Sequence, residues 1–199
     1  MTARERTQKS NHPRKGAVLK SDPIRNLAAV QKIKDSLNGR PRDFALFTVG
    51  VNSALRGSDL VRLRKSEVEH LSPGDHITIR IEKTNKLLQV TMNETALSAL
   101  KPLLETAEND YLFPSEKTKQ PITRAHLGKM VKQWCNNNGL NGRFCSHTLR
   151  KTWGNIQYFT FKTPLSVISQ ALGHADERVT RAYLGIQAEQ VKDAFMRGI

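Results

Sequence analysis

The apolar positions of this chain change period several times, and each change marks an element. From Ile24 through Leu27, Val30, Ile33 and Leu37 they recur every three or four residues, the spacing of one helix face. Ser21-Asp22-Pro23 ahead of them reads as a helix start and Asn38-Gly39 as its stop. Pro41-Arg42-Asp43 opens a second helix through Phe44, Leu46, Phe47 and Val49, apolar on most sides. A third is expected with Leu60 and Leu63 inward and Ser58 or Asp59 as its cap. The period then drops to two. His76 to Glu82 alternates as a half-buried strand does, Lys83-Thr84-Asn85-Lys86 is a polar turn, and Leu87 to Met92 returns, so a β-hairpin is expected. Helical spacing resumes from Asn93 or Thr95 through Leu97, Leu100, Leu103 and Leu104, and Leu112-Phe113-Pro114 reads as a buried return. Thr123 caps a helix with Leu127, Met130, Val131 and Trp134 on one side. Ser146 caps one carrying His147, Arg150 and Trp153. Pro164 starts another with Leu165, Val167, Ile168 and Leu172 as its core face; Gly173 ends it, and Asp176 caps a short helix with Val179 and Tyr183. The pattern predicts a mostly α domain with a small antiparallel β-hairpin, an α+β fold.

The two ends read differently. Residues 1–22 carry Arg4, Arg6, Lys9, Arg14, Lys15 and Lys20 against Glu5 and Asp22, with few apolar residues. They are expected to form a flexible basic arm, lying on a DNA backbone or simply solvated. The folded domain spans residues 23–199. Near its end Val191, Ala194 and Phe195 recur at helical spacing, predicting a helix over residues 187–197 whose apolar stripe needs a surface to cover it.

Charge narrows the partner. Lys and Arg number 32 against 18 Asp and Glu, a net charge of +14 over 199 residues. That excess favours a polyanion, most simply nucleic acid. No apolar run approaches the roughly 18–20 residues that span a bilayer, and the N-terminus lacks the apolar stretch of a secretory signal. Cys135 and Cys145, ten apart, fit no zinc pattern and agree with a reduced, cytoplasmic setting. The G-x-x-x-x-G-K-S/T phosphate loop is missing, as is the paired H-x-E and P-C-x-x-C of zinc deaminases, so neither a nucleotide nor a metal cofactor is expected.

The chemistry concentrates between Cys145 and Gly185. His147-x-x-Arg150 places a His and an Arg on one helix face; Leu172-Gly173-His174 and Tyr183 follow. An Arg, two His and a Tyr suit an anion, most simply a phosphodiester attacked by the tyrosine. This spaced set resembles the catalytic core of the tyrosine recombinases, the phage integrase family, over roughly Pro23 to Phe195. Ala54-Leu55-Arg56 with Asp59 three residues on is similar to the family's first active-site arginine region. The position after Arg150 departs modestly: the family usually has His or another residue before Thr, and here it is Lys151-Thr152.

The resemblance implies roles. Arg56 and Arg150 would clamp the non-bridging oxygens of a pentavalent phosphate with forked hydrogen bonds. His147 and His174 would add hydrogen bonds, and His147 could help take the phenol proton. Tyr183 would be the nucleophile, and a hairpin lysine, Lys83 or its neighbour Lys86, would protonate the leaving 5′-oxygen. Lys86, Arg124, Lys129 and Lys132 are candidates for DNA contact, while Tyr111 and Tyr158 are read as structural. The product would be a 3′-phosphotyrosyl link, on double-stranded DNA, in a homo-tetramer whose C-terminal helices dock in neighbouring subunits or fold back on their own domain. Relaxation of supercoils in the manner of a type IB topoisomerase, and a non-catalytic DNA-binding regulator, use the same fold. Most integrases carry a core-binding domain of about a hundred residues. None is expected ahead of this domain, as in the small fimbrial phase-variation invertases, unless the chain is a catalytic fragment.

Overall fold

In the computed structural model, residues 21–80, 87–106, 108–186, 190 and 195–197 are described. Most of the basic arm, the hairpin tip with Lys83 and Lys86, and most of the expected C-terminal helix lie outside them.

The first helix, α1 (Leu27–Ser36), begins later than its sequence start signal. Asn26 caps it, its side chain accepting the Ala29 N–H at 2.7 Å. Ser21 to Arg25 stay out of the helix because their polar groups have distant partners. The Asp22 N–H donates to the Arg143 carbonyl at 2.9 Å, and the Asp22 carboxylate accepts the Arg143 N–H at 2.8 Å. The Ile24 N–H donates to Thr152 Oγ1 at 2.9 Å, and Lys151 Nζ to the Ser21 carbonyl at 2.9 Å. Ile24 is buried, as its place in the apolar pattern suggests, whereas Leu27, in the opening turn, stays about half exposed.

The second helix, α2 (Pro41–Asn52), is buried from Ala45 through Val51. A short helix, α3 (Gly57–Val61), follows. Its N-cap is Arg56 in extended geometry rather than Ser58 or Asp59, both of which lie within its first turn. Then comes α4 (Lys65–Val68), too brief to leave a periodic signal. Strands β1 (His76–Arg80) and β2 (Leu87–Thr91) pair antiparallel, with Ile77 opposite Val90 and Arg80 opposite Leu87. Helix α5 (Glu94–Thr106) is capped by the Asn93 side chain on the Ala96 N–H at 2.9 Å.

The second half begins with α6 (Arg124–Asn137), capped by Thr123 on the His126 N–H at 3.1 Å. Helix α7 (Ser146–Phe159) has Cys145, not Ser146, as its N-cap. Two short helices close the described fold: α8 (Leu165–Ala171) after Pro164, and α9 (Glu177–Leu184), where Asp176 accepts the Val179 N–H at 2.9 Å. Leu165, Ile168 and Leu172 are buried as expected, but Val167 is about half exposed. The fold is mostly helical with a small two-stranded antiparallel sheet. No described helix is long and apolar enough to cross a membrane.

Two apolar clusters result. The larger gathers α1, α2, the hairpin, α5 and α6 around Phe47, Leu100 and Trp134; the smaller gathers Ala54, Leu165, Ile168, Leu172, Leu184 and Ile186. Helix α7 serves both, with Leu149 in the larger and Trp153 and Tyr158 against the smaller. Where α2 meets α7 the backbones come close at Gly50. A Cβ there would lie 2.5 Å from Leu149 Cδ1 and 3.2 Å from Leu149 Cβ. Gly50→Ala should therefore destabilise the domain by about 1–3 kcal/mol despite alanine's better helix propensity. Urea unfolding of wild type and variant measures this.

Candidate active site

The seam between the two clusters is pinned by one buried charge. Arg150, on α7, is only 4% exposed. Its Nη1 donates to the Ala54 carbonyl, just before α3, and its Nη2 to the Leu172 carbonyl at the end of α8. Those bonds account for two of its five N–H donors, leaving others for a ligand. Burial pushes the guanidinium down to about 10, so it remains cationic at neutral pH.

Around this pin the fold gathers the other described members of the predicted set. Arg56 stands at the N-cap of α3, part-exposed, with Nη1 4.0 Å from the Asp59 carboxylate. His147 lies one turn before Arg150 on α7. Its pKa is lowered, first by burial and then by the charges of Arg124, Arg150, Lys151 and Arg56. His174 follows the left-handed Gly173 (φ 57°) in the loop between α8 and α9. Burial, then Arg150 and Arg56, push its imidazole down to about 4. Both histidines are thus neutral at pH 7.

His174 is oriented by a hydroxyl chain. Its Nδ1 lies 2.8 Å from Thr180 Oγ1, which donates to Ser169 Oγ at 3.0 Å. Nδ1 is thereby engaged by the hydroxyl chain, and Nε2 is the ring nitrogen left to meet a ligand. Thr180 and Ser169 are buried and were not singled out in the sequence; Thr180 stands three residues before Tyr183, one helical turn away.

Tyr183, on α9, meets the His174 ring edge to face, centroids 5.2 Å apart and planes at 79°. Its hydroxyl oxygen is buried without a well-formed hydrogen bond. Burial raises the phenol pKa, and the charges of Arg150 and Arg56 oppose that rise. Tyr111 and Tyr158 sit elsewhere: Tyr111 accepts a hydrogen bond from Arg64 at 3.3 Å, and Tyr158 from Gln190 at 2.9 Å. Arg124 and Lys129 are exposed on α6. With Lys132 they line a groove that ends at Cys145, Ser146 and His147, so the basic face of α6 runs into the cluster. Among the described residues no group of acidic, His and Cys side chains could hold a metal ion. Two cationic forks, two neutral imidazoles and a tyrosine at one point can bind a phosphodiester and attack it.

Comparison with known proteins gives the family and the fold. The model of the phage integrase family matches residues 18–190, and the chain belongs to that family. The probable integrase/recombinase YoeC of Bacillus subtilis (strain 168) is 31% identical over 175 residues, covering 87% of this chain and 94% of YoeC. The tyrosine recombinase XerC of Caldanaerobacter subterraneus subsp. tengcongensis is 25% identical over 173 residues, covering 82% of this chain but 47% of XerC. The chain thus spans nearly all of YoeC and about half of XerC. Among solved structures, XerH site-specific recombinase bound to palindromic difH substrate superposes with a TM-score of 0.70 at 24% identity, covering 88% of this chain and 52% of that one. The fold is that of the tyrosine recombinase catalytic domains.

The depressed His174 pKa has a consequence for stability. Unfolding returns the imidazole to about 6.5, so between pH 6.5 and 4 the unfolded chain binds the extra proton and the native state resists it. Stability should fall as the pH is lowered through that window. His174→Gln, which carries no titrating proton, should flatten this part of the profile in urea unfolding curves taken from pH 7 to pH 4.

Proposed function

We propose that this chain is a site-specific DNA recombinase that cuts and rejoins double-stranded DNA through Tyr183. The observation that carries the reading is the gathering of Arg56, Arg150 and His174 about Tyr183, with His147 beside the same two arginines at the end of a basic groove. Tyr183 Oη attacks phosphorus as the bond to the 5′-oxygen breaks. His147, neutral because burial and surrounding cations disfavour its protonated form, accepts the phenol proton. Arg56 and Arg150 hold the non-bridging oxygens as their charge grows, and His174 helps position the phosphate. A proton from Lys83 or Lys86 reaches the departing 5′-oxygen. The products are a 3′-phosphotyrosyl link and a free 5′-hydroxyl, and the reverse step reseals a strand without external energy.

The names of the relatives support the reading: XerH is a site-specific recombinase solved bound to a palindromic difH substrate, and YoeC is called a probable integrase/recombinase. Strand exchange between two sites would take four copies of the chain, each acting once, with the 187–197 segment as the link between copies. Residues 23–199 would form one catalytic domain, and the cytoplasm, where bacterial DNA lies, is its working compartment.

A nicked suicide duplex tests the reaction. Wild type should accumulate a covalent protein–DNA band that Tyr183→Phe lacks. Arg150→Lys, which keeps a charge but loses the fork, should slow its formation by about 10²–10³-fold. A band that persists in Tyr183→Phe would remove Tyr183 from its role.

The groove makes a separate prediction. Arg124→Ala and Lys129→Ala should weaken binding across DNA sequences alike. Each should also reduce the slope of log affinity against log salt by about 0.9. Titrations between 50 and 200 mM salt measure this directly.

A further inference from the structure

Lysine is almost never fully buried unless something holds it there, yet Lys151 is 7% exposed in the middle of α7. Its Nζ donates to the Ser21 carbonyl at 2.9 Å and lies over the Tyr183 ring, 5.0 Å from the centroid. The Ser21 carbonyl is itself held in place, because the next residue, Asp22, exchanges two hydrogen bonds with Arg143. The ammonium is thus fixed against the face of one particular tyrosine.

We propose that Lys151 is a positioning residue for the nucleophile, its ammonium steadying the Tyr183 ring and favouring the phenolate that attacks. The proposal rests on the reading of Tyr183 as nucleophile. A cation over an aromatic face attracts the neutral ring modestly. When the phenol loses its proton, negative charge spreads into the ring and the attraction grows. Only that increment lowers a barrier, since an interaction equal in ground and transition states does not. Tyr183 has need of it: burial holds the phenol in its neutral form, against the opposing charges of Arg150 and Arg56. Successive helix residues point about 100° apart, so Arg150 and Lys151 approach the tyrosine from different directions on α7. The other titratable groups acting on Tyr183 are Cys145 ahead of α7 and His174 beyond α8, with Asp59 and Asp176 acting on Arg150 and His174 in turn. Lys151 acts instead through its place over the face of the ring. The competing role is purely structural, a clip joining the 21–24 segment to α7.

Two readouts on the full chain separate these roles. The first places 3,5-difluorotyrosine at position 183, a tyrosine analogue whose phenol titrates near neutrality, and follows its ¹⁹F signal with pH in the absence of DNA. Lys151→Met should raise the midpoint by about half a unit or more, while Lys151→Arg, which keeps the charge, should leave it near wild type. An unchanged midpoint in a folded Lys151→Met protein overturns the proposal; should that variant fail to fold, a raised midpoint in Lys151→Arg does so.

The second readout is single-turnover formation of the covalent complex. Lys151→Met should slow it about tenfold at pH 7 and less at pH 9, with DNA affinity unchanged. Fluorotyrosine at 183, acidic in its own right, should restore most of that loss. A loss that is equal at all pH values and is not restored would make Lys151 a structural clip. Wild type giving no covalent complex on any site, with the fluorotyrosine midpoint still sensitive to Lys151, would instead sink the nucleophile reading and leave the local electrostatics standing.

Discussion

A buried guanidinium that must find hydrogen-bond partners organises this molecule. Leaving a charge unpaired in the interior costs several kcal/mol or more. Arg150 avoids that penalty by bonding the Ala54 and Leu172 carbonyls. Each carbonyl is available for a local reason. Leu172 is the C-cap of α8, where the last helical carbonyls lack intrahelical partners. Ala54 sits at φ 53°, a left-handed conformation that disfavours a side chain by about 1–2 kcal/mol. It is buried in the smaller cluster, and its carbonyl is one of the two that hold Arg150. The chain before α3 and the end of α8 are distant in sequence, yet they meet on one side chain.

The rest of the cluster follows from that arrangement. Tying the end of α8 to α7 fixes where Gly173 turns the chain, and so where His174 stands. Asp176 then starts α9 a short step later, and one helical turn separates Thr180, which steadies His174, from Tyr183. Tyr183 and the His174 imidazole are therefore placed by a single short stretch of backbone, and the two rings meet edge to face. Arg56 arrives independently, from the N-terminal end of α3. Its placement depends on α2 running buried past α7 and ending where Ala54 can turn.

Much of this was legible in the sequence because it depends on local rules. Asp176, Thr123 and Asn93 cap the helices they precede, and the alternation from His76 gives a strand paired with Leu87 to Thr91. The ordered set His147, Arg150, His174 and Tyr183 marks one site because its spacing follows from short elements. The signals that misled were equally local. Ser21-Asp22-Pro23 has the composition of a helix start, but Asp22 and Ser21 are engaged by Arg143 and Lys151, more than a hundred residues away. Ser58 and Asp59 are good capping residues, yet Arg56 takes the cap position with its backbone alone. Val167 falls at a core-facing spacing in a helix of two turns, too short for periodicity to decide which side is covered. Lys151 stands out only as a departure from the family pattern and Thr180 not at all, since what distinguishes them is contact across the fold rather than pattern along the chain.

Tyr183 holds its hydroxyl in a buried position beside the Arg150 guanidinium, without a well-formed hydrogen bond. A chain with a net charge of +14 adheres to nucleic acid of any sequence, and most of the DNA it meets is the wrong DNA. Under the proposed function, a backbone phosphate would reach the buried Tyr183 oxygen only where the side chains around it give way.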